Sequence, residues 1–145
     1  MREVVNYHRK HNCKSLRMTR VLLVEDSEDI LDLLRLQLEW MGYIVDSAQN
    51  ANAGLDAAYK LPPDVIVSDL RMPGIDGFAF IRQIRRIGIL KSVPAIALSG
   101  AGTDTDIQQA IASGFTTHLM KPVEAGDLSK MIERLTVRHL QRKAG

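Results

Sequence analysis

From Val21 onward the chain repeats one theme: a short β-branched or aliphatic run, a polar turn, then a stretch with apolar residues three and four apart. The first run, Val21-Leu22-Leu23-Val24, is apolar at every position, as a parallel strand covered on both faces requires. The spacing of Ile30, Leu31, Leu34 and Leu38 predicts a helix from about Ser27 to Met41, with Gly42 placed to end it. Tyr43-Ile44-Val45 reads as a second strand. Asn50 can cap a short helix striped by Leu55, Ala58 and Tyr59, which Pro62-Pro63 stops. Val65-Ile66-Val67, ending at Ser68-Asp69, is again uninterrupted and so a second central strand.

The turn Met72-Pro73-Gly74 leads to Asp76, an N-cap for a helix carrying Phe78, Ile81 and Ile84. Val93 to Leu98 is a fourth strand, with Pro94 tolerated because it sits at the start. Thr103 or Asp104 can cap a helix bearing Ile107, Ala110 and Ile111. A fifth strand, Phe115 to Met120, is interrupted by Thr116, Thr117 and His118, a mixed pattern suited to a sheet edge. A final helix carries Leu128, Met131, Ile132 and Leu135. Strands alternating with helices in this way predict an α/β fold: a doubly wound, five-stranded parallel sheet with helices on both faces.

With 145 residues and 46% hydrophobic content, the chain suits one compact domain. No apolar run approaches the ~18 residues of a membrane span, and the N-terminus lacks the apolar stretch of a secretory signal, so no membrane association and a cytoplasmic location are expected. Cys13, the single cysteine, cannot form an internal disulfide, and His8 and His11 are too few and too loosely spaced to make a metal site with it. Residues 1–17 hold Arg2, Arg9, Lys10, Lys14 and Arg17 against Glu3 alone, so a chain of net charge +2 keeps a mildly acidic body. A basic arm can attract nucleic acid or anionic lipid, but five cations without interleaved aromatics or a binding motif read as a solvated, flexible extension, and a nucleic-acid partner is not expected. The expected organisation is an extension over 1–18, one domain over 19–140 and a short tail over 141–145, and Met18 would also serve as a start.

In doubly wound sheets, ligands bind beyond the carboxyl ends of the strands where the strand order reverses. Those ends carry Glu25-Asp26, Asp69, Ser99 and Lys121. Two carboxylates about 4 Å apart repel by roughly 4 kcal/mol at an effective dielectric near 20, so three acids together call for a cation. Oxygen ligands with open positions suit magnesium. A metal among Asp26, Asp69 and a nearby main-chain carbonyl would orient an incoming phosphoryl group and neutralise its oxygens. Asp69 would attack as a carboxylate, Lys121 would pair with one phosphoryl oxygen, and the Ser99 hydroxyl would donate to another.

The stretches VLLVEDSEDI, VIVSDLRMPGIDG, IALSG and HLMKPV together resemble the receiver domains of response regulators in two-component signalling, the CheY-like family, over about Arg20 to Leu140. The resemblance implies a flavodoxin-like (βα)5 fold with strand order 2-1-3-4-5. It implies phosphorylation of Asp69 by a histidine kinase or histidine phosphotransfer protein, in a domain that assists its own phosphorylation and dephosphorylation and is otherwise no enzyme. Magnesium would be bound by Asp26, Asp69 and the carbonyl of Arg71, with Glu25 acting largely through water. Pro122 would follow Lys121 in a cis peptide. Ser99 and position 118 would form the switch that reshapes the face of helix 4, strand 5 and helix 5 for a protein target, and the pattern is compatible with a homodimer. His118 stands where the family often has tyrosine or phenylalanine; it is smaller and can charge near neutral pH. Arg71 and Ala101 occupy positions that modulate hydrolysis of the phosphoryl group in the family. The wording HLMKPVEAGDL is similar to receivers attached to or partnered with hybrid histidine kinases, and with only QRKAG after the last helix, output is expected through a protein partner or onward phosphate transfer.

Two other readings fit parts of the pattern. A receiver-like interaction module that takes no phosphate would not need the full set of acids, hydroxyl and lysine. An aspartyl phosphatase generally wants a second acid two residues after its nucleophile, where Arg71 stands. Asp104 and Asp106 read as a solvated helix start, and SGAGTD does not fit the glycine spacing of a dinucleotide fingerprint.

Overall fold

The computed structural model describes residues 18–100 and 102–144; Cys13, His8, His11, the basic arm and Ala101 lie outside the described residues. The elements are β1 (Arg20–Val24), α1 (Glu28–Trp40), β2 (Ile44–Ala48), α2 (Ala51–Lys60), β3 (Val65–Asp69), α3 (Gly77–Arg85), β4 (Ala95–Ser99), α4 (Asp104–Ser113), β5 (Thr117–Met120) and α5 (Ala125–Ala144). All strand pairs are parallel, in the order β2-β1-β3-β4-β5, so the chain reverses direction across the sheet between β1 and β3. This is the flavodoxin-like arrangement expected from the sequence.

The period-two alternation of strand side chains divides the core into two layers. Leu22, Val24, Ile66, Ala95 and Ala97 pack with Phe78, Phe80, Ile81 and Ile84 on one face. Val21, Leu23, Val65, Val67, Ile96 and Leu98 pack on the other with Leu31, Leu34 and Leu38 of α1 and Leu128, Ile132 and Leu135 of α5. β3 and β4 are buried throughout, so their apolar runs carry no outward polar positions. Side chains cap four helices as their residue types suggest: Ser27, Asn50, Asp76 and Thr103 each accept from the main-chain N–H three residues on. Gly42 closes α1 at φ +102°, a conformation glycine adopts without steric cost.

The edges depart from the sequence reading. β2 starts at Ile44 and runs to Ala48, through the polar Asp46 and Ser47, because all five residues pair with β1; the Arg20 guanidinium on that strand also holds Asp46 at 2.9 Å. β4 starts at Ala95: Pro94 has no N–H for the ladder, although its carbonyl accepts from Ile66. β5 starts at Thr117, since Phe115 turns into the core and the Thr116 hydroxyl accepts from Ala95 N–H. Ile30, Tyr59 and Ile111, expected on inner stripes, are exposed; α1 buries only Leu31, Leu34 and Leu38.

The loop after β3 is fastened by Gly77, whose N–H donates to the Leu70 carbonyl at 2.9 Å. A Cβ on Gly77 would collide with the Asp69 carbonyl and lie 2.8 Å from Leu70 Cα. Gly77→Ala is therefore expected to destabilise the domain by about 1–3 kcal/mol in urea unfolding. An unchanged midpoint would show that the loop yields without cost.

Candidate functional site

The register of the central strands builds the site. Val24 of β1 lies beside Ser68 of β3, so the next residues, Glu25 and Asp69, emerge side by side at the carboxyl end of the sheet. Asp26 follows in the turn to α1, Ser99 ends β4, and Lys121 comes directly after β5, with its N–H donating to the Ser99 carbonyl at 2.8 Å. Carboxylate oxygens of Glu25, Asp26 and Asp69 all lie within 4.8 Å of one another. The Lys121 ammonium faces them, 2.8 Å from Glu25 Oε1 and 2.9 Å from Asp69 Oδ2. Glu25 is fully buried and Asp69 nearly so, whereas Asp26 opens to solvent. A cavity of about 230 Å³ beside them is lined by Asp69, Arg71, Ser99, Asp106 and Lys121 among others. Ser99 Oγ accepts from Gly102 N–H at 2.9 Å, which leaves the hydroxyl proton to be donated elsewhere.

Burial and charge crowding together shape the protonation behaviour. Burial pushes the Glu25 carboxyl up to about 7; the Lys121 hydrogen bond opposes the rise, and Asp69 and Asp26 add to it. Burial also works against the Lys121 ammonium, but the paired Glu25 and Asp69 carboxylates outweigh it and hold the lysine above its ordinary value. At Asp26 the upward pull of burial is overcome by hydrogen bonding with Glu25 and Asp69, so this carboxyl sits below the usual range. One ammonium thus shares three acids, and Glu25 releases its proton reluctantly. The donor set is all carboxylate oxygen, with one member facing water, which fits a hard divalent cation that retains water ligands.

The predicted site residues separate into two groups. Glu25, Asp26, Asp69 and Lys121 converge, and Ser99 shares their cavity. Pro122 follows Lys121 through a cis peptide. His118 is half-buried within β5, beside Ala97 of β4 and away from the cavity lining. The Arg71 side chain turns to Asp106, with 2.7 Å between guanidinium and carboxylate, and lies 5.5 Å from the centroid of the Phe78 ring. Asp106 corrects the reading of a solvated helix start: it is buried, because its carboxylate points across the cavity to a cation 35 residues earlier in the chain. Thr103-x-x-Asp106 was legible as a capping pattern, and Thr103 Oγ1 does accept from Asp106 N–H at 3.2 Å. The carboxylate itself goes elsewhere.

The family model for the response regulator receiver domain matches residues 21–133, which hold the site and all of the sheet but Arg20. The chain belongs to that family. It is 37% identical over 122 residues to the KDP operon transcriptional regulatory protein KdpE of Escherichia coli, covering 84% of this chain and 53% of KdpE. It is 30% identical over 116 residues to a segment of the sensor histidine kinase CheAY of Helicobacter pylori, covering 79% of this chain and 14% of the kinase. The chemotaxis protein CheY4 of Vibrio cholerae superposes with a TM-score of 0.79 at 33% identity, covering 82% of this chain and 99% of CheY4. The chain spans about half the length of the transcriptional regulators it matches. Receiver domains are signalling modules, and among the described residues no helix is long and apolar enough to cross a membrane.

The raised Glu25 carboxyl has a thermodynamic consequence for the metal-free receiver. A carboxyl raised in the fold contributes stability that is full below its ordinary 4.5 and is lost as pH rises through about 7. Urea unfolding without divalent cations should lose on the order of 2 kcal/mol across that window relative to Glu25→Gln, in which the contribution is absent. Parallel pH curves for the two proteins would contradict it.

Proposed function

We propose that this receiver accepts a phosphoryl group on Asp69 from a histidine kinase or histidine phosphotransfer protein, in a reaction that requires magnesium. The observation that carries the reading is the placement of the Asp69 carboxylate on the cavity wall, with one oxygen 2.9 Å from the Lys121 ammonium and two further acids within 4.8 Å. Asp26, Asp69 and the main-chain carbonyl of Arg71 would hold the ion, which when bound neutralises charge on the transferring oxygens. Glu25, buried and already bonded to Lys121, is suited to a contact through water.

The protein side of the transfer follows from the contacts. An Asp69 oxygen forms the bond to phosphorus as the bond from phosphorus to the donor histidine nitrogen breaks; with the donor ring protonated from solvent on its other nitrogen, the products are an acyl phosphate and a neutral imidazole. The group arrives with negative oxygens, so the Lys121 ammonium exchanges part of its pairing with Asp69 for a phosphoryl oxygen. The Ser99 hydroxyl, already oriented by Gly102 N–H, donates to a second. Because Lys121 N–H bonds the Ser99 carbonyl, a shift at Ser99 reaches β5, where His118 lies half-buried. The face of α4, β5 and α5 would then change for a protein target or a second copy of the chain. Moving such an equilibrium from about 1% to 99% active takes about 5.5 kcal/mol, within reach of several charge-assisted bonds acting together. A histidine in place of a larger aromatic makes a weaker lever. The location that suits this traffic is the cytoplasm.

Incubation with acetyl phosphate and magnesium should raise the intact mass of the wild-type protein by one phosphoryl group. The gain should vanish with EDTA or with Asp69→Asn. Labelling that persists in Asp69→Asn would refute the assignment.

A further inference from the structure

α1 turns Leu31, Leu34 and Leu38 into the core, yet Leu33, Leu36 and Trp40, spaced i, i+3 and i+7, form a second apolar row on its opposite side. Leu33 and Leu36 are each 57% exposed, and Trp40, the one tryptophan of the chain, is 91% exposed. Single exposed apolar side chains are ordinary; a row of three on one helix, ended by a tryptophan, marks a contact surface. Acids border it. Glu28, Asp29, Asp32 and Glu39 are all exposed on α1, and the one cation of the helix, Arg35, is already engaged by Asp32 at 3.6 Å and Glu39 at 2.8 Å. The complement of such a face is a segment both apolar and basic.

The chain carries one. Residues 1–17 hold Arg2, Arg9, Lys10, Lys14 and Arg17 against Glu3, with Val4, Val5, Tyr7 and Leu16 among them. This segment joins the sheet at the right place: the Thr19 carbonyl accepts from Ile44 N–H at 3.0 Å and Arg20 pairs with Ile44, so the chain enters β1 beside the turn, Met41 to Tyr43, that ends α1. Trp40 adjoins that turn. Residues 1–17 reach about 55 Å when extended, whereas the 13 residues of α1 measure about 20 Å. The segment therefore spans the helix from its carboxyl end, and the tether keeps its local concentration high enough for weak contacts to suffice. We propose that residues 1–17 lie along the outer face of α1, covering Leu33, Leu36 and Trp40 and setting their cations against Asp29, Asp32 and Glu39. Composition by itself suggests a solvated arm; the acid-bordered apolar face beside its point of attachment gives that arm a place to bind. The inference is independent of phosphoryl acceptance at Asp69, because none of these residues lines the cavity.

Trp40 is the reporter for the test. Four full-length proteins are compared: the wild type, Arg9→Glu with Lys10→Glu, Asp32→Lys with Glu39→Lys, and the combination of all four substitutions. Acrylamide, an uncharged quencher, should quench Trp40 emission about threefold less in the wild type than in either charge-reversed protein, as when most molecules hold the covered state. The combined protein should recover the protection, because its charges again oppose. Protection of the wild type should weaken in about 1 M sodium chloride, which screens exposed pairs. Urea midpoints on the same samples separate release of the arm from unfolding, and if the helix variant unfolds, the variant at Arg9 and Lys10 decides alone. Quenching of the wild type as strong as that of the variant at Arg9 and Lys10 would overturn the proposal. So would protection that disappears on dilution, which would assign the face to a second copy of the chain, or a folded combined protein that stays exposed.

Discussion

A single ammonium facing three crowded carboxylates is the constraint on which the rest of this molecule turns. Lys121 bonds Glu25 and Asp69 at 2.8 and 2.9 Å, and Asp26 completes the cluster from the solvent side. Burial raises the Glu25 carboxyl to about 7, and the neighbouring Asp69 and Asp26 carboxylates, which one ammonium does not fully offset, add to that rise. The same three acids could hold a divalent cation, and in the proposed function that cation would sit beside the fixed lysine to offset the charge of a phosphoryl group on Asp69. The local cost and the proposed use have one origin.

The sheet makes this arrangement affordable by spending apolar strands on both faces and leaving chemistry to the ends. β3 and β4 are buried along their whole lengths, so Asp69 and Ser99 are fixed by backbone ladders rather than by flexible loops. Parallel pairing aligns the ends of β1 and β3 and sets Glu25 next to Asp69. Gly77 then clamps the loop beyond β3 against the same strand end, and the first turn of α4 supplies Asp106 to the far side of the cavity. Site and core are therefore one construction: the residues that end each strand are positioned by those that fill it.

Much of this was legible in the chain, for reasons that differ by element. Val21–Val24 and Val65–Val67 are unbroken apolar runs, and in a parallel sheet such runs have a single place to go, so the strand ends and the acids after them followed. The edge strands were less clear, because β2 continues through Asp46 and Ser47 by pairing with β1, a long-range match that no local pattern announces. Ile30, Tyr59 and Ile111 fall within helical apolar arcs wider than the faces that the sheet can cover, and periodicity alone does not say which rim stays wet. Asp106 was misread for a related reason. Its helix-start pattern is local and correct for the backbone, while its carboxylate answers to Arg71 on another element.

The central claim, that the acids at the strand ends form a divalent-cation site, is tested most directly by calorimetric titration of magnesium into the receiver near neutral pH. Wild-type protein should bind one ion saturably, and binding should be lost when Asp26→Asn and Asp69→Asn are combined. Absence of binding by the wild type, or equal binding by the doubly substituted protein, would contradict it.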